Sequence, residues 1–288
     1  MNYVILTEEA LKSEQAISII DSFIRFWETR YQILVHCTQS PIEETLLITP
    51  LLNKPLTNSK LSNPLKTQAL ETFIEPVDLR SLIIGLNEPS HEMSLSLVSI
   101  TENWESKNEK PSKETSINGL CILSKDGFKG TIKGEAARWD QWMLAKKNRG
   151  DLTFKLDDGE RDYLTVDLEK IELDVKPIVK NNQVTFELDI KFDATINGFK
   201  TKATSDEIRQ GIIKKVKEEI KTTYEEGLKI DVDIYRLSEH LYRDKVKVWK
   251  KLEKNGKIPL TKESISKINI YVNKVNPGRK TFEETIKE

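Results

Sequence analysis

The sequence has few of the residues from which catalytic and metal sites are usually built. Its 288 residues include three histidines and two cysteines, and no histidine stands at metal-ligand spacing from another histidine or a cysteine. A structural zinc site needs four such ligands, so the sequence predicts no zinc site. It also lacks a glycine-rich phosphate loop and the nucleophile elbow of hydrolases. We therefore expect no metal, no cofactor and no catalytic residue.

The chain also lacks an excess of charge of one sign. It carries 45 basic and 46 acidic residues, which leaves a net charge of −1. Because phosphate contacts require a surplus of positive charge, this balance argues against a dedicated nucleic-acid binder. No apolar run approaches the roughly 18 residues of a membrane span, and no signal peptide opens the sequence. We therefore expect the chain as given to have no membrane anchor and to be soluble.

The two cysteines, Cys37 and Cys121, lie in the apolar, strand-like runs YQILVHC and LCIL. A free cysteine behaves as a small hydrophobic residue, and we interpret both as core residues. They can form a disulfide only if the two strands meet in the fold. The sequence leaves that pairing open.

The strongest pattern in the sequence is a one-sided helix over residues 203–229. Lysines and glutamates such as Lys214 occupy one face, and the apolar residues of the other face recur every four positions. We expect Ser205 to cap the N-terminus of this helix and Gly227 to end it. The apolar residues are Ile208, Ile212, Val216, Ile220 and Tyr224.

The first third of the chain alternates strand and helix patterns. Residues 3–6 and 31–37 read as strands that flank a helical pattern at residues 17–27. This order predicts a strand–helix–strand unit with parallel strands. Residues 65–74 and 77–86 predict two further short helices.

The later part of the chain predicts an antiparallel sheet. The sequence KDG at 125–127 predicts a hairpin, because glycine tolerates the positive φ of such a turn. Residues 163–175 alternate with period two but change phase near Glu169 and Lys170, which indicates a bulge. Residues 184–196 alternate without a break and predict a half-buried antiparallel strand.

The stretch 102–116 separates these two parts, because it is charged, polar and contains Pro111. We predict an α+β fold with two mixed sheet-plus-helix domains, at residues 1–110 and 117–288. The C-terminal domain is expected to hold an antiparallel-rich sheet covered by two long helices. The second long helix is predicted over residues 232–253.

A basic flank on that second helix is the candidate functional surface. We interpret it as a surface that docks another protein or faces a membrane. A solvated helix face explains the same charges without a function. On the residues alone, a binding or assembly role is favoured over catalysis. The flank consists of Arg243, Lys247, Lys250 and Lys251.

Two stretches carry a combination of motifs at a characteristic spacing. The first, INGLCILSKDGFKGTIKGE, has a strand followed by a Lys-Asp hairpin and a return strand. The second, IYRLSEHLYRDKVKVWKKLEKNGK, is a helix with a Tyr/Arg pair and a late Trp-Lys. In their order along most of the chain, these motifs resemble the spore germination C-subunit lipoprotein family. The matching positions of the first motif are Asn118, Gly119, Leu120, Lys125, Asp126 and Gly130.

The resemblance implies a non-enzymatic subunit of a nutrient germinant receptor that takes part in spore germination through protein–protein contacts. It implies integral membrane A- and B-type subunits as partners, a location at the outer face of the spore inner membrane, and no nucleic acid. The family's signal peptide, lipidated cysteine and first domain have no counterpart in the sequence as given. Cys37 and Cys121 lie in strands and do not stand for the lipid-bearing residue.

Two other functions remain open from the sequence. One is an unrelated envelope or cytosolic ligand-binding protein of α+β architecture. The other is a hydrolase whose site is assembled from scattered aspartates and glutamates. Neighbouring genes for membrane subunits distinguish the receptor hypothesis from the first alternative. Turnover that is lost when one carboxylate is replaced would indicate the second.

Overall fold

A computed structural model of the chain confirms the α+β fold with two mixed sheets. It describes residues 2–25, 30–48, 61–62, 74–104, 112–139, 149–156, 163–181, 183–198, 203–278 and 286–287. The chain forms two compact units. The first contains Met1–Ala137 and Lys229–Arg236, and the second contains Arg138–Leu228 and Leu237–Glu288.

The first unit is built on a six-stranded sheet within the described residues. The strand order is β1-β2-β4-β5-β6, and the short β3 pairs with β2. β2 pairs in parallel with β1 and β4, whereas β4, β5 and β6 pair antiparallel. The strands are β1 Tyr3–Thr7, β2 Leu34–Thr38, β3 Val77–Asp78, β4 Met93–Trp104, β5 Ser112–Ser124 and β6 Gly127–Lys133.

Short helices connect these strands, and side chains cap the first turns of α1 and α4. Ala10 N–H donates to the Thr7 hydroxyl at 3.2 Å, and Ser81 N–H donates to Asp78 at 2.7 Å. These bonds satisfy N–H groups that have no partner inside a helix. The parallel β1–β2 pair with helices between its strands confirms the predicted strand–helix–strand unit. The helices are α1 Glu8–Lys12, α2 Ala16–Arg25, α3 Ile42–Leu47 and α4 Leu79–Asn87.

The two cysteines form a disulfide, which the sequence had left open. Cys37 in β2 and Cys121 in β5 are bonded across 84 residues of chain, with Cα atoms 6.5 Å apart. Both belong to the buried core of the first unit and are fully buried. Their interpretation as core residues is confirmed, but they are bonded to each other rather than free. The physical reason is that β5 returns to the sheet of β2, a long-range pairing that local pattern does not encode.

The described residues of the predicted boundary loop at 102–116, which are 102–104 and 112–116, are strand. β4 continues to Trp104 and β5 begins at Ser112, and Thr101 pairs with Glu114. Cross-strand hydrogen bonds override the polar composition of this stretch, because an exposed strand can carry polar side chains. Residues 105–111 lie outside the described residues.

The compact units also divide the chain differently from the predicted domains 1–110 and 117–288. β5 and β6 complete the sheet of the first unit, so that unit continues to Ala137. Independent folding of residues 117–288 stays a prediction.

The predicted hairpin is confirmed between β5 and β6. Lys125 and Asp126 form its turn, and Gly127 follows with φ of 119°. Few residues other than glycine adopt this value without strain, so the turn chemistry in the sequence decides the register of the hairpin.

The second unit holds a four-stranded sheet in the order β11-β9-β8-β7 within the described residues. β8 pairs antiparallel with β7 and β9, but β9 pairs in parallel with β11. The prediction of an antiparallel strand at residues 184–196 is therefore confirmed for the pairing of β9 with β8 and is wrong for its pairing with β11. The strands are β7 Arg149–Lys155, β8 Tyr163–Lys180, β9 Gln183–Gly198 and β11 Ile265–Asn276.

The bulge predicted near Glu169 and Lys170 is confirmed in β8. The register with β9 shifts between Glu169 and Glu172, and Lys170 has a positive φ of 54°. The shift changes which side chains point inward, so Leu168 before it and Ile171 after it are both buried.

The long helix α5, Ser205–Lys229, confirms the main prediction from the sequence. All five residues of its apolar face are buried, from Ile208 to Tyr224, while Lys214 is exposed. Its N-terminus follows β10, Ala203–Thr204, which pairs with β12, Ile286–Lys287.

The caps of α5 differ from the prediction. Thr204 rather than Ser205 caps the helix: Glu207 N–H donates to its hydroxyl at 3.2 Å, and Thr204 N–H donates to the Glu207 carboxylate at 2.7 Å. This reciprocal pair is a capping box. Gly227 does not end the helix but is buried within it, and the first positive φ after it is at Asp231.

The second long helix predicted over residues 232–253 is two short helices. α6 spans Leu237–Asp244 and α7 spans Val246–Leu252, and Lys245 between them has φ of −140° and ψ of 58°. Helical periodicity continues across such a break, so the apolar pattern did not reveal it. The same break corrects the expected covering of the sheet by two long helices.

The segment Lys229–Arg236 packs as a strap in the first unit, and residues 232–236, expected to open that helix, precede its observed start at Leu237. Asp233 N–H donates to the buried Glu92 carboxylate at 2.6 Å. Ile230 lies so close to Gly130 that a Cβ there would stand 3.0 Å from its side chain. Val232 and Ile234 are buried. Partners distant in sequence therefore hold the strap in a non-helical form.

Some predicted features lie outside the described residues. They are residues 65–73 of the helix predicted at 65–74.

Replacing Ile212 by alanine tests the inward face of α5. Ile212 is fully buried, and Ile→Ala at such a site costs roughly 2–5 kcal/mol of the free energy of unfolding. Lys214→Ala, on the exposed face of the same helix, changes it by about 0.5 kcal/mol or less. Urea unfolding of both variants measures the difference. Equal effects would show that the wrong face has been assigned to the core.

Reducing the disulfide tests its contribution to the first unit. A cross-link over 84 residues restricts the unfolded chain, so its loss lowers the free energy of unfolding by about 4 kcal/mol. Urea unfolding with and without dithiothreitol measures this loss. The variant Cys37→Ala/Cys121→Ala is the control, because its unfolding does not depend on the reductant. Identical wild-type midpoints under both conditions would contradict the bond.

Candidate docking surface

The four predicted basic residues lie on two helices rather than one. Arg243 is in the last turn of α6, and Lys247, Lys250 and Lys251 are on α7. All four side chains are exposed. The break at Lys245 separates Arg243 from the three lysines, which we call the basic face.

The basic face is held in place by a buried anchor on the other side of α7. The Trp249 ring packs edge-on against Tyr242, with centroids 5.0 Å apart. Its indole N–H donates to the Ser238 hydroxyl at 3.1 Å, and that hydroxyl also accepts Ile258 N–H at 2.9 Å. A tryptophan fixed by both packing and a hydrogen bond sets the rotation of its helix. The rotation of α7 therefore keeps the three lysines on the side of the helix that faces solvent.

The basic residues of this region differ in their partners. Arg243 forms an ion pair with Glu239 at 2.5 Å, and Lys245 donates to the Pro177 carbonyl at 2.8 Å. Along α7, which is fully described, Lys247, Lys250 and Lys251 make no ion pair with any described residue. The structure thus separates Arg243 from the rest of the predicted set. The four-residue spacing of Glu239 and Arg243 is a local signal that could have shown this pairing in the sequence.

The surrounding segment concentrates positive charge. Residues 243–257 contain seven lysines and arginines but two acidic residues, in a chain whose net charge is −1. Val246, the first residue of α7, is 41% exposed among these charges. The surface therefore combines unpaired positive charge with one exposed apolar side chain.

Carboxylates on the polar face of the second sheet are paired instead. Lys176 Nζ lies 2.5 Å from Asp189 and 3.2 Å from Asp174, and Asn269 donates to Asp189 at 2.6 Å. The hydrogen bonds from Lys176 and Asn269 lower the pKa of Asp189, and the bond to Asp189 raises the pKa of Lys176. These shifts are explained by ion pairing on a sheet surface and need no catalytic role.

His36 is the buried titratable group of the first unit with a shifted pKa. Its ring contacts Tyr3 with centroids 6.1 Å apart, and its Nε2 lies 3.0 Å from the Leu61 carbonyl. Burial lowers the pKa of His36 below its ordinary value of 6.5, although the bond to Leu61 partly opposes this shift. Nδ1 of His36 and the hydroxyl of its cross-strand neighbour Ser96 have no partner among the described residues.

The described residues contain no group of three or more His, Cys, Asp or Glu side chains that could hold a metal ion. No helix among the described residues is long and apolar enough to cross a membrane.

Comparison with known families decides where the chain belongs. Residues 118–278 match the family described as spore germination B3/GerAC like, C-terminal. Residues 1–100 match the spore germination protein N-terminal domain. The chain belongs to the spore germination B3/GerAC-like family. This confirms the resemblance to the germinant receptor C subunits and removes the hypothesis of an unrelated binding protein.

A solved structure shares the fold. The chain is similar to the crystal structure of the GerBC protein, with a TM-score of 0.65 and 13% sequence identity. The similarity covers 96% of this chain and 78% of that chain. At this identity the likeness concerns the fold. No curated protein matches the sequence.

The structure gives physical reasons for the motif of this GerAC-like chain. Asn118 accepts a hydrogen bond from the Ser99 hydroxyl at 2.8 Å, which ties β5 to β4. A Cβ at Gly119 would stand 2.6 Å from the Ile132 carbonyl, so the hairpin requires glycine there. Gly130 leaves room for Ile230 of the strap. Each of these three motif residues therefore has a structural role in the packing of the first unit.

Lowering the pH tests the burial of His36. The folded-state pKa lies below 6.5, so the unfolded chain binds the proton more readily, and stability falls as the pH drops through the unfolded value. From about pH 7.5 to pH 5.5 we expect a loss of at most about 1.4 kcal/mol per pH unit. Urea unfolding at each pH measures this loss.

His36→Gln is the control, because glutamine does not titrate, and its stability should change less over the same range. If that variant does not fold, NMR titration of the wild-type imidazole decides the question. An observed pKa at or above the ordinary value would contradict the prediction.

Proposed function

We propose that this chain is a non-enzymatic subunit of a nutrient germinant receptor. It acts through protein–protein contacts with integral membrane A- and B-type subunits at the outer face of the spore inner membrane. The family matches at residues 1–100 and 118–278 carry the proposal, because they follow each other over nearly the whole chain.

The chemistry of the described side chains supports a role without catalysis. In an active site, burial and neighbouring charges shift the pKa values of groups that line a cleft, whereas ion pairs on a surface and burial in a core shift pKa values without any catalytic role. Here the shift of His36 follows from burial in the core, and that of Asp189 follows from its ion pair on the sheet surface. The contacts of these groups among the described residues are structural: His36 Nε2 contacts the Leu61 carbonyl, and Asp189 contacts Lys176 and Asn269.

The disulfide supports a location outside the cytoplasm. Disulfides form and persist in oxidising compartments and are rare in the reducing cytosol. The Cys37–Cys121 bond crosses the core of the first unit and joins strands that are distant in sequence. A chain that folds around such a bond is suited to the outer side of a membrane.

The basic face is the surface we assign to docking, with Arg243 at its border. Its three lysines are exposed, carry unpaired charge and stand on a helix fixed from behind by Trp249. Exposed charges contribute little to stability. They are therefore available for contacts outside the chain, with a protein or with a membrane surface.

Reversing two charges of the basic face tests this assignment. Lys250→Glu/Lys251→Glu should leave the fold intact but slow germination in response to nutrient severalfold, because the docking charge is inverted. The matched control is Lys214→Glu/Lys221→Glu, two equally exposed lysines on α5. Germination is followed by the fall in optical density of spores that carry each variant in an anchored, full-length form. Immunoblots must show equal amounts of protein.

Deleting the gene tests the proposed function itself. In a strain in which this chain is the sole C subunit, deletion of its gene should abolish germination in response to nutrient. A normal nutrient response in that strain would contradict the proposed function. A normal response of the charge-reversal spores alone would remove the basic face and leave the function standing.

A further inference from the structure

We propose that the basic face binds the anionic headgroups of a phospholipid membrane surface, with Lys247, Lys250 and Lys251 as the binding groups and Val246 as an apolar contact. This inference rests on the proposed function for its setting, and it names lipid rather than protein as the partner of the surface.

The region around the basic face has an excess of positive charge, which favours contact with an anionic surface. Residues 243–257 carry seven basic and two acidic side chains, while the whole chain has a net charge of −1. Clusters of four to eight lysines and arginines beside a membrane are typical of anionic-lipid binding. The three lysines of the basic face have no ion-pair partner among the described residues, so their charge is available to a second surface.

Val246 adds an exposed apolar side chain next to the lysines of the basic face. It is 41% exposed at the start of α7, directly before Lys247. An apolar side chain beside lysines suits the boundary between headgroups and acyl chains. The long lysine side chains can extend past it to the phosphates, because their methylene stems tolerate apolar surroundings.

The residue types of the face favour lipid over protein. The cores of protein interfaces are depleted in lysine and enriched in tryptophan, tyrosine and arginine. On α7, which is fully described, Trp249 is 8% exposed and donates its N–H inward to Ser238. At the border, Arg243 is already paired with Glu239. The outward face of α7 therefore offers exposed lysines to diffuse negative charge and no exposed aromatic side chain that could anchor in a protein pocket.

The size of α7 defines the kind of contact. Its seven residues, Val246–Leu252, are far too few to span a bilayer. Trp249 holds the helix to the second unit, so the helix cannot leave the fold to insert. The contact is therefore peripheral and electrostatic, and added salt should weaken it strongly.

Vesicle co-sedimentation of the purified 288-residue chain tests the inference. Vesicles of phosphatidylglycerol and phosphatidylcholine in equal amounts should bind the chain at about 50 mM salt and release it at about 500 mM. Lys247→Gln/Lys250→Gln/Lys251→Gln should weaken binding about 100-fold, since each lysine near an anionic surface contributes about a factor of five. Val246→Ala should weaken it about fivefold.

A triple variant on other surfaces of the second unit is the matched control. Lys214, Lys221 and Lys267 are exposed and make no ion pair with a described residue. Lys214→Gln/Lys221→Gln/Lys267→Gln should keep binding within about twofold, because the net charge changes equally but the basic face remains. Thermal unfolding of both triple variants confirms that the fold is retained.

Several outcomes would overturn the inference. They are no binding by the wild-type chain at low salt, equal binding to pure phosphatidylcholine vesicles, and equal losses in the two triple variants. A fourth concerns spores: if the basic-face variant binds vesicles normally but slows nutrient germination, the surface contacts a protein. The lipid inference then fails while the proposed function stands.

Discussion

The second unit depends on the burial of two sets of apolar side chains. One set is the inward row of the strand β9, and the other is the apolar face of the helix α5. Phe186, Leu188, Ile190 and Phe192 form the inward row of β9 and are at most 1% exposed. The apolar face of α5 is equally buried, and Phe154 of β7 approaches that helix at Gly211. Burial of these rows is the main favourable term in forming the unit. α6 packs on β8 of the same sheet, and α7 packs on α6.

The first unit has a different kind of constraint, because its sheet and core are assembled from segments that are far apart in the sequence. β5 and β6 return antiparallel beside the parallel strands β1, β2 and β4, and the disulfide joins β2 to β5. The strap Lys229–Arg236 adds a third distant piece, tied by the bond from Asp233 to Glu92. The unit is therefore complete only when segments from three parts of the chain have met. Such pairings are slow to form, since loop closure precedes the contacts that compensate its entropy.

The polar groups of the described residues fall into two kinds: those bonded to neighbours or buried in the core, and those exposed to solvent without an ion-pair partner. We expect function to lie with the second kind. Asp189, Lys176 and His36 are engaged by neighbours or by the core, and their shifted pKa values express that engagement. The lysines of the basic face are the contrasting case, since they are exposed and unpaired within the described chain. Family membership supplies the setting of spore germination, and the unpaired charge identifies the surface that we expect to act in it.

Local pattern was sufficient for the elements whose cause is local. The buried face of α5, the KDG hairpin and the bulge at Lys170 were all predicted, because periodicity and turn chemistry act within a few residues. The site was predicted less completely. Its basic residues are visible in the sequence, but the pairing of Lys245 with Pro177 joins positions 68 residues apart. No pattern near Lys245 could indicate that its charge is engaged.

By itself, the sequence determined the α+β class, the family and the inward faces of the long helix and strands. Tertiary structure alone decided the pairing of Cys37 with Cys121, the parallel partner of β9 and the helix break at Lys245. The physical reason is the range of the interactions. Side-chain periodicity is set by the backbone geometry of one element, whereas strand partners, disulfides and non-helical straps are set by groups that meet only after the chain has folded.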